Sequence, residues 1–531
     1  MSESDLPVVE LRPYRWGATD VALPEAVGPA LAALGVSAPP PPPVDPAAAS
    51  LPDSELPVDA RAALVAAVGA DRVSTDRADR VRHTRGWSTP DLLRLRAGDA
   101  GDAPDAVVRP GSHDEVCAVL EACATHRVAV VPYAGGTSVV GGLVAERTGF
   151  AGVIALDVAR LDSVTGLDEV SRVVTLGTGL RGTAAEARLN EAGYTLGHFP
   201  QSYEGASIGG YAAARSAGQS SAGYGRFDEM VVGLVLATPR GTIRLGTAPQ
   251  SAAGPDLRQL VLGSEGTLGV ITSVTVRIRP RPEVREFEGW RFDDFAHGVA
   301  AMRRLAQDGP RPTVLRLSDE AETAINLADP DVLGSGPGGC LAVVGYEGTA
   351  ADFADRHAAG SLVLAAAGGT ALGRDPGEAW RAGRYRAPYL RDPLLDAGAF
   401  VETLETATFW SGLEQLRADV TTALTDALGA QGTPAVVLCH VSHVYETGAS
   451  LYFTVLCAQA TDPIAQWGAA KAAATAAIRA AGATITHHHG VGTDHRAAYQ
   501  DEIGPLALEL LRAVKATVDP AGILNPGVLV G

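Results

Sequence analysis

The sequence predicts an α+β fold: two strand-rich lobes decorated with helices, followed by a second α+β unit. Three observations carry that expectation. Residues 105–132 read as a β-α-β unit ending at a glycine-rich loop, Val270–Ile278 alternates as a half-buried strand does, and the pattern changes after Pro280-Arg281-Pro282. At 531 residues the chain exceeds one ordinary core, so more than one domain is expected.

The elements follow in order. Residues 37–58, rich in Pro, Ala and Asp and including Pro39 to Pro43, form an extended connector after a short N-terminal piece. Asp105–Pro110 reads as a strand. Ser112, with Glu115 three residues on, is a capping box that opens a helix to about Arg127, and Val128–Pro132 is a buried strand. Strands at Gly152–Val158 and Arg172–Gly177 precede a helix capped by Thr183 with Glu186 and stopped by Gly193. Further on we expect a helix at 294–307, strands at 313–318 and 340–346, a helix at 351–366, strands at 434–444 and 450–458, and helices at 463–481 and 501–518. The matching division is an N-terminal segment and connector over 1–60, a first domain over 61–282, a cap over 283–480 and a C-terminal return over 481–531.

Composition narrows the function classes. With 46% hydrophobic and 20% charged residues the chain is not wholly disordered, and no run of about 18 apolar residues supports a membrane span. A net charge of -18 repels polyanions, so no nucleic acid is expected as partner. Met1-Ser2-Glu3-Ser4-Asp5 is acidic and has neither the basic nor the apolar region of an export signal. The five scattered cysteines form no CxxC pair and read as reduced thiols, so a cytoplasmic protein is expected.

The stretch Val131–Leu143 contains Pro132, Tyr133, Ala134, Gly135, Gly136, Thr137 and Ser138. Without Cβ atoms its glycines let N–H groups converge on an anion, and Thr137 and Ser138 add hydroxyl donors, as a pyrophosphate cradle requires. A glycine-rich turn joining two strands reads the same way. Neither the Walker lysine nor GxGxxG is present. A second segment runs from Gly197-His198-Phe199-Pro200 through Gln201, Ser202, Tyr203, Glu204, Gly205, Ala206 and Ser207 to Ala213, Ala214, Arg215 and Ser216. A third is Gly263-Ser264 followed by Glu265, Gly266, Thr267, Leu268, Gly269, Val270 and Ile271.

In this order the three segments resemble the FAD-binding fold of the vanillyl-alcohol oxidase/PCMH superfamily, from about Asp105 to Pro280 and again at Asn525-Pro526-Gly527. The resemblance implies a two-lobed PCMH-type FAD-binding domain with an α+β cap domain over the isoalloxazine. It implies that the first loop wraps the pyrophosphate and that the other two line the flavin and ribityl chain. Superfamily members that attach FAD covalently commonly carry a His where this chain has Ser138, so non-covalent FAD is expected.

Within the superfamily, His487-His488-His489-Gly490-Val491-Gly492 resembles the triple-histidine motif of the alkyldihydroxyacetonephosphate synthases. D-Lactate and D-2-hydroxyglutarate dehydrogenases of the same fold usually show His-Glu-His-Gly-Ile-Gly there. Taken alone, the run reads equally as a solvated turn or a metal site. On a strand, His487 and His489 share one face, which gives two ligands rather than three, so no metal is expected. Ser442–Phe453 is similar to the synthase segment with the catalytic tyrosine, here Tyr445, and Pro388–Asp392 to the segment with the phosphate-binding arginine, here Arg391. A strand Tyr is also an ordinary core residue, and an Arg beside an Asp an ordinary surface pair.

The resemblance implies exchange of the acyl group of acyl-dihydroxyacetone phosphate for a long-chain alcohol through a flavin N5 adduct, with no net redox change. In that reading Tyr445 takes a proton from the ester-bearing carbon. His487, His488 and His489 polarise it and the leaving carboxylate, His198 faces the substrate, and Arg391 holds the phosphate. The alternative is an FAD-linked oxidoreductase of a D-2-hydroxy acid such as D-lactate or glycolate, against which His488 in place of Glu argues. A flavin-dependent sensor needs only the cofactor loops. A lipid or hydroxy-acid substrate, peripheral membrane contact and a homodimer complete the expectations.

Overall fold

Four β-sheets organise the computed structural model, which describes residues 6–17, 20–25, 27–144, 146–325 and 338–530. In the first, Val73–Ser74, Ala106–Val108, Gly152–Asp157 and Val128–Tyr133 lie in that order, and the last three are parallel. Burial on both faces explains their continuous apolar runs. Ser112 Oγ accepts the Glu115 N–H at 3.2 Å and caps the helix His113–His126, whose stripe of Val116, Val119, Leu120 and Cys123 packs on this sheet. The Glu115 carboxylate ties down the preceding Gly111 N–H at 2.6 Å instead of completing the capping box.

The second sheet is antiparallel, in the order Val164–Asp168, Val173–Gly177, Val270–Arg277, Val231–Thr238, Gly241–Leu245. A cap does not form at Thr183, which lies inside the helix Gly182–Glu191. The Glu186 carboxylate instead accepts the N–H groups of Leu196 and Gly197 at 2.9 and 3.2 Å and the Thr195 hydroxyl, fastening this helix to the start of the second glycine segment. A two-stranded ribbon, Tyr194–Thr195 with Arg279–Pro280, is the third sheet.

Seven antiparallel strands build the fourth sheet, in the order Thr370–Gly373, Val284–Phe292, Cys340–Gly348, Val314–Ser318, Val436–Val444, Gly448–Ala458, Ala399–Phe409. Helices Phe295–Gln307, Leu413–Gly429 and Pro463–Ala480 cover one of its faces with a continuous apolar core. The last helix begins at Arg496, earlier than the sequence suggests. It breaks at Gly504 (φ 77°), before Pro505, whose missing N–H interrupts the ladder. The chain end then returns to the first sheet, where Asn525 donates its N–H to Val130 O at 2.8 Å. No described helix is long and apolar enough to cross a membrane.

Candidate active site

A cavity of about 460 Å³ lies between the glycine-rich segments and the seven-stranded sheet. All of Pro132, Tyr133, Ala134, Gly135, Gly136, Thr137 and Ser138 line it. A Cβ on Gly135 would collide with Gly205 O and the Arg181 guanidinium, so only glycine lets this loop pass. Gln201, Ser202, Ala206, Ser207, Ala213, Ala214 and Ser216 line it from the second segment, and Glu265, Gly266, Gly269, Val270 and Ile271 from the third.

Six expected cofactor residues stand outside this lining. Tyr203 stacks on Tyr385 with ring centroids 5.5 Å apart, and Gly205 O accepts from Arg181 Nη1 at 2.6 Å. Arg215 donates to Leu262 O and Gln259 O, and Thr267 Oγ1 to Ser264 O. Glu204 and Leu268 are buried beside them. These residues shape the loops from behind. Glu265 joins two motifs: its carboxylate, raised by burial to about 7, accepts the N–H groups of Val491 and Gly492 at 2.9 Å.

The walls suit a long, partly apolar cofactor. Trp87 Nε1, Gln219 Oε1 and Asn525 Oδ1 all belong to wall residues and are buried with no hydrogen-bond partner among the described residues. A heterocycle with donor and acceptor edges satisfies such groups.

On the sheet side, Ser318, His440, Tyr452 and Glu405 occupy directly opposed positions on four strands, so their side chains share one face. His440 and Tyr452 stack with centroids 5.0 Å apart. Glu322 Oε1 meets His440 Nδ1 at 3.0 Å and accepts from Arg316 Nη2 at 2.9 Å. Burial opposes ionisation of Glu322, yet Arg316 and His440 hold it at about 2. Burial, helped by Arg316, lowers His440 to about 4. A register shift between Val441 and His443 turns His443 to the same face as His440.

The histidine run is not a strand. It bends around the buried carboxylate of Glu405, which accepts the N–H groups of His487, His488 and His489 at 2.6, 3.1 and 3.0 Å and the Thr486 hydroxyl at 2.7 Å. The face alternation expected of a strand therefore fails: His488 and His489 line the cavity, and His487 stands behind them. Nitrogens of His443, His487 and His488 lie within 4.8 Å of one another. Despite burial, the surrounding histidines, His488 foremost, hold Glu405 well below the usual carboxylate range.

Arg391, on the helix Ala387–Asp396, reaches the cavity and donates through Nη1 to Trp87 O at 2.8 Å. The N-terminal segment clamps this helix, with the Trp16 N–H on Asp392 Oδ2 at 2.7 Å and Arg15 on Asp396 at 2.6 Å, and Trp16 itself lines the cavity. Besides His487, two expected residues do not reach it. His198 is packed between Tyr211 and Phe227, bonded to Ser216 Oγ at 3.0 Å and lowered by burial to about 3, so it does not face a substrate. Tyr445 lines a separate cleft and meets His487 Nε2 at 2.6 Å. Tyr452, His440, Glu322 and Glu405 are the residues that sequence reasoning left without roles. Pairing the two strands across the turn at Tyr445-Glu446-Thr447 was the available signal, and the register shift hides it.

A family model described as "FAD binding domain" matches residues 104–246, and one described as "FAD linked oxidases, C-terminal domain" matches residues 281–529. The chain is 32% identical over 486 residues to the alkyldihydroxyacetonephosphate synthase of Dictyostelium discoideum, covering 87% of this chain and 79% of the relative. It is 31% identical over 483 residues to that of Trypanosoma brucei brucei, covering 86% and 78%. A solved alkyldihydroxyacetonephosphate synthase structure superposes with a TM-score of 0.80 at 29% identity, over 92% of this chain and 89% of the other. With glycine segments that fit FAD and these relatives along nearly its whole length, the chain is an FAD-dependent enzyme that belongs to the alkyldihydroxyacetonephosphate synthase family.

Proposed function

We propose that this enzyme exchanges the acyl group of acyl-dihydroxyacetone phosphate for a long-chain alcohol, the ether-forming step of ether lipid synthesis. One observation carries the reading: Arg391, Tyr452 and His488 line the same cavity as the FAD loops, so an anion anchor and proton-handling groups meet the cofactor in one chamber. Bound there, FAD supplies the electron-deficient ring system against which the substrate carbon reacts without net redox change.

The chain's own residues do the rest. Arg391 grips the phosphate as a permanently charged fork, oriented by its bond to Trp87 O. His488 takes the proton from the ester-bearing carbon, and the buried Glu405 carboxylate, 3.4 Å from His488 Nδ1, stabilises the imidazolium that results. Burial pushes the Tyr452 phenol up to about 12, so it is protonated at neutral pH and donates to the departing carboxylate. The base thus moves from Tyr445, which stands outside the cavity lining, to a residue that forms it. Apolar walls exclude water and pack the alkyl chain, each buried methylene contributing about 0.8 kcal/mol.

Incorporation of labelled hexadecanol into alkyl-dihydroxyacetone phosphate tests this reading. Wild type that incorporates none yet bleaches its flavin with D-lactate is an oxidoreductase instead. A homodimer, a cytoplasmic location and peripheral contact with a membrane belong to the same proposal. Leu506 and Leu510, one turn apart, 78% and 63% exposed, are an apolar pair suited to that contact. Sedimentation and flotation with phospholipid vesicles measure the assembly and the contact.

A further inference from the structure

The mechanism above leaves Tyr445 and His487 without a role, yet two short hydrogen bonds join them to the residue that accepts the substrate proton. Tyr445 Oη lies 2.6 Å from His487 Nε2, and His487 Nδ1 lies 2.9 Å from His488 Nδ1. His488 lines the cavity and has Nε2 as its remaining nitrogen. At the other end, Tyr445 lines a cleft of about 630 Å³ together with Phe409, Thr447, Arg479 and Glu502, and Phe409 is 71% exposed. We infer that Tyr445, His487 and His488 form a proton relay that carries the proton taken from the substrate carbon to water in this outer cleft.

The atoms balance through one shift along the chain. Before the reaction His488 carries its proton on Nδ1 and gives it as a hydrogen bond to His487 Nδ1, while His487 donates from Nε2 to Tyr445 Oη. The carbon's proton arrives at His488 Nε2. The His488 Nδ1 proton passes to His487 Nδ1, the His487 Nε2 proton passes to Tyr445 Oη, and Tyr445 releases its own proton to water. One proton enters, one leaves, and no residue keeps a charge. The chain then stands in the opposite tautomers, with Tyr445 donating to His487 and His487 to His488, and the reverse shift returns a proton to the cavity.

The surroundings fit a relay better than a packing role. Arg226 hydrogen-bonds Tyr445, and a guanidinium only donates, so the phenol oxygen is an acceptor with its hydrogen free to point to His487 or to the cleft. His443 stacks beside His487 at 5.2 Å with its Nδ1 held by Ser221 Oγ at 2.7 Å, which fixes a neighbour without interrupting the chain. The His487 and His488 N–H groups both rest on Glu405, so the two rings are held in register.

The inference rests on the proposed exchange reaction, and the test separates the two. Holoenzyme is given palmitoyl-dihydroxyacetone phosphate carrying tritium on the ester-bearing carbon, and release of label into water is followed in wild type and in Tyr445→Phe. The variant should keep its FAD and release label on the order of 100-fold more slowly. Added imidazole, which can enter the cleft as a proton carrier, should restore part of the variant's rate and leave wild type unchanged. Wild-type release by Tyr445→Phe, or a loss that imidazole does not restore, overturns the relay and leaves the exchange reading standing. Wild type that releases no label overturns the exchange reading and the relay with it. Should Tyr445→Phe lose its flavin, His487→Gln carries the same comparison with the same outcomes.

Discussion

Tyr452 stands directly across the strands from both His440 and Glu405, and its ring stacks on that of His440 at 5.0 Å. A phenol in this position shares one sheet face with a neutral imidazole and a buried carboxylate, and it is the tyrosine of this strand pair that lines the cavity. Tyr452→Phe removes only an oxygen, so the thermal midpoint should barely move while hexadecanol incorporation falls by about 100- to 10,000-fold. Unlike the loss expected in Tyr445→Phe, this one should not respond to added imidazole. Near wild-type incorporation by Tyr452→Phe would remove it from the chemistry.

Arg391→Ala should lower kcat/KM for the phosphorylated substrate with FAD content unchanged. A lost charged hydrogen bond is worth about 1.5–3 kcal/mol, or roughly 10- to 150-fold. Arg391→Lys should recover only part of this, because an ammonium cannot reproduce the fork. If kcat/KM is unchanged in Arg391→Ala, the phosphate belongs elsewhere, and Arg316, also on the cavity wall, becomes the anchor.

The sequence made the cofactor side legible because its signals are local. Gly135 and Gly136 are required by steric conditions within their own loop, and the periodicity of Val128–Tyr133 and Val270–Arg277 is set by burial of each strand. The substrate side was legible only in outline. Glu405 lies about 80 residues from the histidines it holds, and nothing near it in the chain announces that role. The shift between Val441 and His443 changes which residues face the site, so a period-two reading cannot pair His440 with Tyr452. Thr183 and Glu186 match a capping pattern, but Glu186 is drawn to the N–H groups of Leu196 and Gly197, a tertiary contact that overrides the local one.

Acid or heat precipitation of the purified yellow protein should release all of its flavin to the supernatant. By the sequence resemblance, Ser138 stands where covalent members of the superfamily commonly carry a histidine, and none of the five cysteines lies on the cavity wall. Absorbance that stays with the washed pellet would show a covalent bond, and His440, His488 and His489, the wall histidines, would then be the attachment candidates.

Glu405→Gln should be the most destabilising of these substitutions. The carboxylate is 3% exposed and accepts three backbone N–H groups and one hydroxyl, and breaking such a buried charged network costs about 3–5 kcal/mol. The pH dependence gives the sign. Its folded-state pKa lies well below the ordinary 4.5, so its contribution is fully present above about 4.5 and is lost as pH falls from there through the folded value. A second effect begins at higher pH. Burial holds His443 and His487 well below 6.5, so the unfolded chain gains protons that the folded chain does not, and stability already declines below about 6.5. Wild type and variant share that histidine decline, so the difference between their thermal midpoints isolates Glu405. It should stay constant from pH 7 to about 5 and shrink on further acidification; a difference that holds flat into the acid range would mean that the folded carboxyl titrates like the unfolded one, and a difference that grows would mean that Glu405 is protonated in the folded protein.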